Sequence, residues 1–353
     1  MTMLSPFLTF ELSLIFVAVL LGPFINKKIE GNLEIFLFLM GVISATLSTA
    51  WTTELIHEGF VAPINITLAV LSAGVLFHYL RNIIDRGMRR VLITVPLPAI
   101  VCAGIVILGL LSSVISAIIA ALLLVEFITV LPLHRNAELN LTIVACFAIG
   151  LGAALTPLGE PLSTIVVSKL SGAPYHAGFY YLFRLLALYV LPSVIILGIG
   201  GIFLVRQVLD DTEKSLAAEP HEENLSEVFV RSFKVYLFVM ALIFLGAGFK
   251  PLIDVYLTKL SSQVLFWVNM VSAVLDNATL AAAEIGPSLG ESQIKSALLG
   301  LLISGGMLIP GNIPNIIAAH ALHIKSTEWA RVGVPLGLIL MAATALLLFL
   351  GLV

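Results

Sequence analysis

Charge is what this sequence has least of. Only 11% of its 353 residues are Asp, Glu, Lys or Arg, whereas 59% are hydrophobic, and the mean hydropathy is +1.10. Soluble domains carry roughly 25% charged residues and under 50% apolar residues. No globular core hides this much apolar surface from water, so lipid must cover it. The composition therefore predicts an all-α polytopic membrane protein whose main partner is the lipid bilayer.

Cysteines and basic stretches are also scarce. The two cysteines, Cys102 and Cys146, each lie inside an apolar run, which excludes a disulfide framework or a zinc site and indicates small core side chains. No basic stretch is long enough to bind nucleic acid. The first apolar stretch contains Glu11 and has no basic segment before it. We therefore expect an uncleaved first span rather than a signal peptide.

Catalytic motifs are missing as well. His57-Glu58 and His221-Glu222 both lack the second histidine of an HExxH zinc motif. Walker and dinucleotide-binding motifs do not occur. The sequence therefore predicts no enzyme and no cofactor, only an ion that is transported or coupled to transport.

Apolar stretches of about 20 residues, each long enough to cross a bilayer, are abundant. The predicted spans are 7–25, 33–50, 60–80, 91–111, 139–171, 179–205, 229–249, 292–325 and 331–353. One long polar segment, 206–228, separates two halves. Lys27 and Lys28 follow the first span and four arginines follow the third. The positive-inside rule then predicts that the N-terminus lies outside the cell.

Two motifs recur in the two halves. The segment 123–132 (LLVEFITVLP) matches 273–282 (AVLDNATLAA), so Glu126 aligns with Asp276. The same alignment pairs two threonines, Thr129 and Thr279. Chance similarity between leucine-rich membrane segments is the alternative.

The second motif lies a similar distance after the first in each half. LTPLGEPLST at 155–164 and LIPGNIPNI at 308–316 both hold a proline, a glycine, a polar residue and a second proline. Recurrence at nearly the same spacing favours an internal duplication.

The repeat predicts the domain organisation. If the acid-bearing stretches are re-entrant hairpins, each unit crosses the membrane three times, and the second unit is inverted relative to the first. The predicted parts are N-terminal scaffold helices at 1–90, a first inverted repeat at 91–205 with a hairpin at 112–137 and a broken helix at 139–171, the linker at 206–228, and a second inverted repeat at 229–353 with a hairpin at 256–290 and a broken helix at 292–325.

The proline- and glycine-rich motifs predict interrupted helices. Pro157 and Pro161 cannot donate the helical hydrogen bond, and Gly159 adds flexibility. A break leaves carbonyls free at one helix end and N–H groups free at the other. Inside a bilayer such groups must line protein or a polar cavity. A simple kink or an interfacial loop is the alternative.

The acidic residues of the two motifs predict which kind of ligand binds at the helix breaks. A carboxylate at this depth costs roughly 2.5–3.5 kcal/mol by insertion scales, and it persists when it meets a cation, a proton or a base. For Glu126 and Asp276 alike, the alternative is a loop residue at the membrane surface. Hard cations prefer oxygen ligands. The predicted site for Na⁺ or a proton comprises Glu126, Thr129, Thr156, Gly159, Glu160, Asp276, Asn277, Thr279, Gly311 and Asn312.

Three further ionisable residues have open interpretations. Arg184, five residues into an apolar span, either snorkels to the interface or neutralises a site carboxylate. His320 is either a packed or interfacial side chain or a proton carrier. Glu284 is expected at the base of the second hairpin.

The motifs resemble those of a known group. VSAVLDNATLAA and TPLGEPLST are similar to two signatures of NhaD-type sodium/proton antiporters, which belong to the ion transporter superfamily. Over residues 90–353 the chain most resembles an uncharacterised prokaryotic family labelled putative cation transporters. The resemblance implies the two hairpins, unwound helices at 157–160 and 310–314, a homodimer with a scaffold and a moving part, and the cytoplasmic membrane of a prokaryote.

The resemblance also has departures. Carboxylate symporters of the superfamily carry Ser-Asn-Thr at both tips, whereas Glu126 and Asp276 stand there in this sequence, which argues against a dicarboxylate substrate. We expect a secondary active cation transporter that exchanges Na⁺ for H⁺. The alternative is a sodium-coupled transporter of a carboxylate or oxyanion with the same fold.

Overall fold

The computed structural model describes residues 5–211, 225–256 and 260–349, and within these ranges it contains α-helices, short 3-10 segments and no strands. Most of the polar linker lies outside the described residues. Seven of the described helices are long and apolar enough to cross a membrane, which confirms a polytopic α-helical membrane protein. The stretches that meet this criterion of length and composition are Pro6–Ile25, Thr53–Ser72, Leu97–Ile115, Arg135–Ala153, Tyr181–Val205, Val228–Ile253 and Ser326–Phe349.

The helices follow one another with few residues between them. In chain order they are α1 (Pro6–Ile25), α2 (Lys27–Gly31), α3 (Leu33–Leu47), α4 (Thr53–Thr94), α5 (Leu97–Ile115), α6 (Ala117–Thr129), α7 (Arg135–Ala153), α8 (Pro161–Lys169), α9 (Tyr181–Asp211), α10 (Leu225–Tyr256), α11 (Ser262–Val268), α12 (Asn277–Glu284), α13 (Glu291–Gly305), α14 (Ile313–Ala321) and α15 (Ser326–Phe349). Two 3-10 segments, Asn269–Ala273 and Ile309–Gly311, continue α11 and precede α14.

The boundary between the third and fourth predicted spans differs from the structure. A loop was expected at 81–90 between the third and fourth spans, but α4 runs unbroken for 42 residues to Thr94. Between Pro63 and Pro96 the chain has no proline to interrupt the helix, and Pro96 then ends it because proline disfavours helical conformation in the residue before it. The next span, α5, therefore starts at Leu97 rather than near 91.

The interrupted helices lie at the centre of the fold. In α7, 83% of the span is buried inside the protein, compared with 22% in α1. Helices α5, α6 and α9 pack around α7, while α11, α12 and α15 pack around α13, and α7 contacts α13. Outer helices instead expose large apolar side chains such as Phe10, Leu188 and Phe203. Such an arrangement leaves the outer surface for lipid and the interior for polar groups.

Candidate ion-binding site

The first helix break follows the prolines and glycine of the TPLGEP motif. Helix α7 ends at Ala153 and α8 begins at Pro161. A Cβ atom at Gly159 would lie only 1.9 Å from the carbonyl oxygen of Ala153, so no larger residue fits without moving backbone. The chain therefore folds back tightly over the end of α7 before α8 starts.

The second break has the same construction. Helix α13 ends at Gly305 and α14 begins at Ile313. A Cβ atom at Gly311 would lie 2.5 Å from the Gly305 carbonyl oxygen. Asn315 Nδ2 donates to the carbonyl oxygens of Gly305 and Leu308, at 2.8 and 2.9 Å. The asparagine thus satisfies carbonyls that the end of α13 leaves without helical partners.

A short helix starts beside the first break. Helix α5 ends at Ile115, Ser116 turns the chain with a positive φ of 78°, and α6 begins at Ala117. The Ala117 N–H donates to the carbonyl oxygen of Gly159 at 2.7 Å. Nearby, the Thr156 hydroxyl donates to the carbonyl of Ser113. The N-terminus of α6 is therefore fixed to the unwound segment.

Another short helix, α12, starts with an acid. Asp276 is its N-cap, and Asp276 Oδ2 accepts hydrogen bonds from the N–H and hydroxyl of Thr279 at 2.9 and 3.1 Å. The following residue, Asn277, is buried, and its Nδ2 lies 3.7 Å from where a Cβ of Gly305 would be. This places the start of α12 at the second break.

Glu160 joins the two regions. It is the N-cap residue of α8 and only 5% exposed. Asp276 lies close enough for the two carboxylates to repel each other, and Asn277 is beside it. The Asn277 amide interacts with the Glu160 carboxyl, but neither Glu160 Oε1 nor Asn277 Nδ2 reaches a partner at ordinary hydrogen-bond distance among the described residues. An acid with an unused oxygen, next to a second acid, is suited to hold a cation or a proton.

Four helix N-termini lie at the two breaks. Those of α6, α8, α12 and α14 follow Ser116, Glu160, Asp276 and Asn312. The Asn312 side chain packs against α7, with Nδ2 2.7 Å from where a Cβ of Gly150 would be. Each N-terminus carries a partial positive charge of roughly half a unit, so the two carboxylates lie in a region where negative charge is stabilised.

The structure brings most of the predicted site residues together. Asp276 and Asn277 lie beside Glu160, and Asn277 and Gly311 both lie against Gly305. Thr156 and Gly159 lie in the same break as Glu160, and Asn312 lies in the same break as Gly311. Thr279 borders this group, because its methyl group packs against Gly246 of α10 while its hydroxyl binds Asp276.

Glu126 and Thr129 are not in this group. They were predicted at a hairpin tip, but they lie at the end of α6 remote from Gly159, where Glu126 is half-buried and Thr129 is exposed. Ten helical residues separate Glu126 from Ser116, a rise of about 15 Å. The structure therefore does not place Glu126 and Thr129 beside Gly159, and the residue at the turn between α5 and α6 is Ser116.

The structure also describes the three ionisable residues whose interpretation was open. Arg184 is exposed on α9, which agrees with a side chain at the interface. The ring of His320 packs edge-on against Phe238 with centroids 5.7 Å apart, as expected of a packed side chain. Glu284, expected at the base of the second hairpin, is buried. Ser116 and Asn315 were missed, although a serine that follows a long apolar run is a typical N-cap signal.

The chain can be compared with known families at this point. A protein-family model matches residues 9–350. The chain belongs to this family, DUF1646, described as a protein of unknown function. A search of curated proteins found no match. The DUF1646 description states no activity, so a functional proposal depends on the chemistry of the central residues.

Proposed function

We propose that this protein is a secondary active cation transporter that exchanges Na⁺ for H⁺ at the centre formed by the two breaks. The observation that carries the proposal is Glu160, a buried carboxylate with an unpartnered oxygen among the described residues and a second acid, Asp276, close by. Two carboxylates this close repel each other unless a cation or a proton neutralises one of them.

Na⁺ and H⁺ compete for this pair of carboxylates. A proton on either carboxylate removes the charge that holds Na⁺, and bound Na⁺ disfavours protonation. The same oxygens therefore carry one ion or the other, which is the basis of exchange. Neutral oxygens from the side chains of Asn277 and Asn312 complete the ligands that a hard cation prefers.

The proposal includes two inverted repeats. Ser112 Oγ donates to the carbonyl of Ile149 at 2.9 Å, and Ser272 Oγ donates to that of Leu301 at 3.0 Å. Each serine precedes by four residues the N-cap of a short helix, Ser116 in one half and Asp276 in the other. These paired contacts support a register in which Ser116, not Glu126, corresponds to Asp276.

This register changes the boundaries of the two proposed repeats. The first repeat comprises α4–α9 with a re-entrant hairpin of α5 and α6, and the second comprises α10–α15 with a hairpin of α11 and α12. Each repeat then crosses the membrane three times, so the second is inverted. Helices α1–α3 form the remaining scaffold. Alternating access would come from movement of the hairpins and short helices against that scaffold.

Contacts between the halves are reciprocal, which supports the inversion. Helix α6 packs on α14, and α12 packs on α8. Arg135, at the start of α7, donates to the carbonyl oxygens of Leu322 and His323 beyond α14, at 2.7 and 2.9 Å. Lys169, at the end of α8, donates to the carbonyl of Ala282 in α12. Each half therefore holds the end of a short helix from the other half.

One observation favours a second candidate, a sodium-coupled anion transporter. Four helix N-termini lie at the two breaks, and α8 and α14 have no side-chain hydrogen bond at their caps. Such N-termini bind carboxylates and oxyanions. Pro161 and Pro314, however, each remove a backbone donor in the first turn, and two acids occupy the region. We therefore favour the cation.

Reconstitution distinguishes the two candidates. The purified protein in proteoliposomes is given a pH gradient, and internal pH is followed as Na⁺, Li⁺, K⁺ or candidate anions are added outside. Exchange predicts a cation-dependent pH change that needs no added anion. A response that requires a particular anion together with Na⁺ would favour the second candidate. The homodimer and the prokaryotic membrane remain predictions.

A further inference from the structure

A second buried acid lies outside the central group. Glu284 is the last residue of α12 and only 4% exposed, and its neighbour Asn269, in the 3-10 segment after α11, is 0% exposed. Eight residues separate Glu284 from Asp276, which corresponds to about 12 Å along the helix. The pair therefore joins the two arms of the second proposed hairpin at a distance from the central acids.

Each side chain of this pair has one polar atom that forms hydrogen bonds and one that has no partner among the described residues. Asn269 Nδ2 donates to Glu284 Oε2 at 2.9 Å and to the carbonyl oxygen of Ala297 at 3.1 Å. Both amide protons are therefore in use. Glu284 Oε1 and Asn269 Oδ1 have no partner among the described residues. If Glu284 were ionised, both of these buried atoms would be acceptors and neither could satisfy the other.

The helices that pack against α12 also carry charged side chains. On α8, Lys169 donates to the carbonyl of Ala282. On α13, the ammonium of Lys295 lies 5.9 Å from the ring centroid of Tyr189, and Glu291 is exposed. On α10, Lys250 is exposed and Lys234 pairs with Glu34 at 3.0 Å. Asn269 is the polar group that acts directly on the Glu284 carboxyl.

We propose that Glu284 carries a proton and forms, with Asn269, a proton-binding site separate from the central acids. A proton on Glu284 Oε1 donates to Asn269 Oδ1, while Oε2 keeps accepting from Nδ2. This closes a ring of two hydrogen bonds between a carboxylic acid and an amide. One proton thereby satisfies both unpartnered atoms and removes a buried charge.

The site links protonation to the hairpin. Loss of the proton leaves a carboxylate facing an amide oxygen, so the ionised form is stable only when α12 moves away from Asn269 or when water enters. Protonation therefore holds the arms α11 and α12 together. The site does not depend on Na⁺ exchange at Glu160 and Asp276.

Infrared spectroscopy of the purified full-length protein at neutral pH tests the proposal. Wild type is predicted to show a protonated-carboxyl C=O band that Glu284→Gln lacks and Glu160→Gln retains. An amide in place of the acid can form the same ring, so Glu284→Gln is expected to unfold at the wild-type temperature at neutral pH and at a higher temperature than wild type at alkaline pH. Identical bands in wild type and Glu284→Gln would overturn the proposal.

A second variant covers the case in which Glu284→Gln does not fold. Asn269→Ala keeps the acid but removes its amide partner, so the Glu284 band is expected to move to the higher frequency of a more weakly hydrogen-bonded carboxyl. A spectrum whose carboxyl bands match those of wild type would show that the acid–amide ring does not form. Neither measurement uses transported ions, so a failure of Na⁺ exchange leaves both results interpretable.

Discussion

The two proposed hairpins have similar backbones, but the acidic residue lies at a different position in each half. In the first, the tip residue is Ser116 and the adjoining break supplies the acid Glu160; in the second, the tip is the acid Asp276 and the break supplies the neutral Asn312. Each half therefore contributes one carboxylate and one uncharged polar side chain, from opposite positions. Neither half alone therefore supplies both carboxylates of the proposed site.

Removal of either acid is expected to have the largest effect. Glu160→Gln and Asp276→Asn keep size but lose the charge, and the loss of a charge-assisted contact of about 1.5–3 kcal/mol reduces cation affinity by about 10–100-fold. Uptake of ²²Na⁺ driven by a pH gradient into proteoliposomes measures this. Ser116→Ala, the variant at the opposite tip, is expected to retain most uptake. Equal losses of ²²Na⁺ uptake in Ser116→Ala and Asp276→Asn would contradict the proposed difference between the two tips.

The position of Glu126 in the structure differs from the one that the motif match predicted. The motif match relied on an acid three residues before a threonine, a pattern that Glu126 and Asp276 share. Position in the fold is instead set by where a helix starts, and an N-cap is recognised by Ser or Asp alike. Ser116 and Asp276 satisfy that rule, and the serines four residues before them make the same contact.

Glycine-to-alanine substitutions test how tightly the chain is packed at each of the two breaks. A Cβ at Gly159 would lie 1.9 Å from backbone, and one at Gly311 2.5 Å from backbone. Overpacking of this kind costs about 1–3 kcal/mol, so Gly159→Ala and Gly311→Ala should both lower the unfolding temperature in detergent. Gly200→Ala is the control, since nothing lies within 4 Å of its added methyl. A wild-type unfolding temperature for Gly159→Ala would contradict the tight turn.

The serine contacts should give a smaller and equal effect. Ser112→Ala and Ser272→Ala each remove one hydrogen bond to a central helix, a change of about 0.5–1.5 kcal/mol in stability. Thermal unfolding of the two variants side by side tests the register, with Ser193→Ala as a control, since that hydroxyl bonds only within its own helix. A clear loss in one variant and none in the other would argue against equivalent hairpin arms.

The smallest effect is expected at Glu126. Its position at the far end of α6 predicts that Glu126→Gln changes stability by no more than about 0.5 kcal/mol and keeps near-wild-type ²²Na⁺ uptake. The variant is the matched control for Glu160→Gln, because both make the same chemical change. A collapse of uptake in Glu126→Gln would restore the sequence-based assignment and remove the proposed register.

Composition and proline spacing predicted a good part of this fold. Low charge predicted a polytopic membrane protein, and the prolines around Gly159 and Gly311 predicted where helices stop. Packing between distant segments was not accessible from sequence. Asn269 and Glu284 lie 15 residues apart and meet only because α12 folds back on the 3-10 segment that continues α11. An asparagine inside the apolar run LFWVNM was nevertheless a signal that a polar partner was needed.

Binding of Na⁺ as a function of pH tests the central claim most directly. Equilibrium binding of ²²Na⁺ to the purified protein would be measured across a pH series in wild type, Glu160→Gln and Asp276→Asn, with Glu126→Gln as control. The account predicts that acidification weakens Na⁺ binding competitively in wild type and Glu126→Gln, and that both central variants bind Na⁺ at least about tenfold more weakly. Binding that is independent of pH in wild type, or unchanged in both central variants, would contradict it.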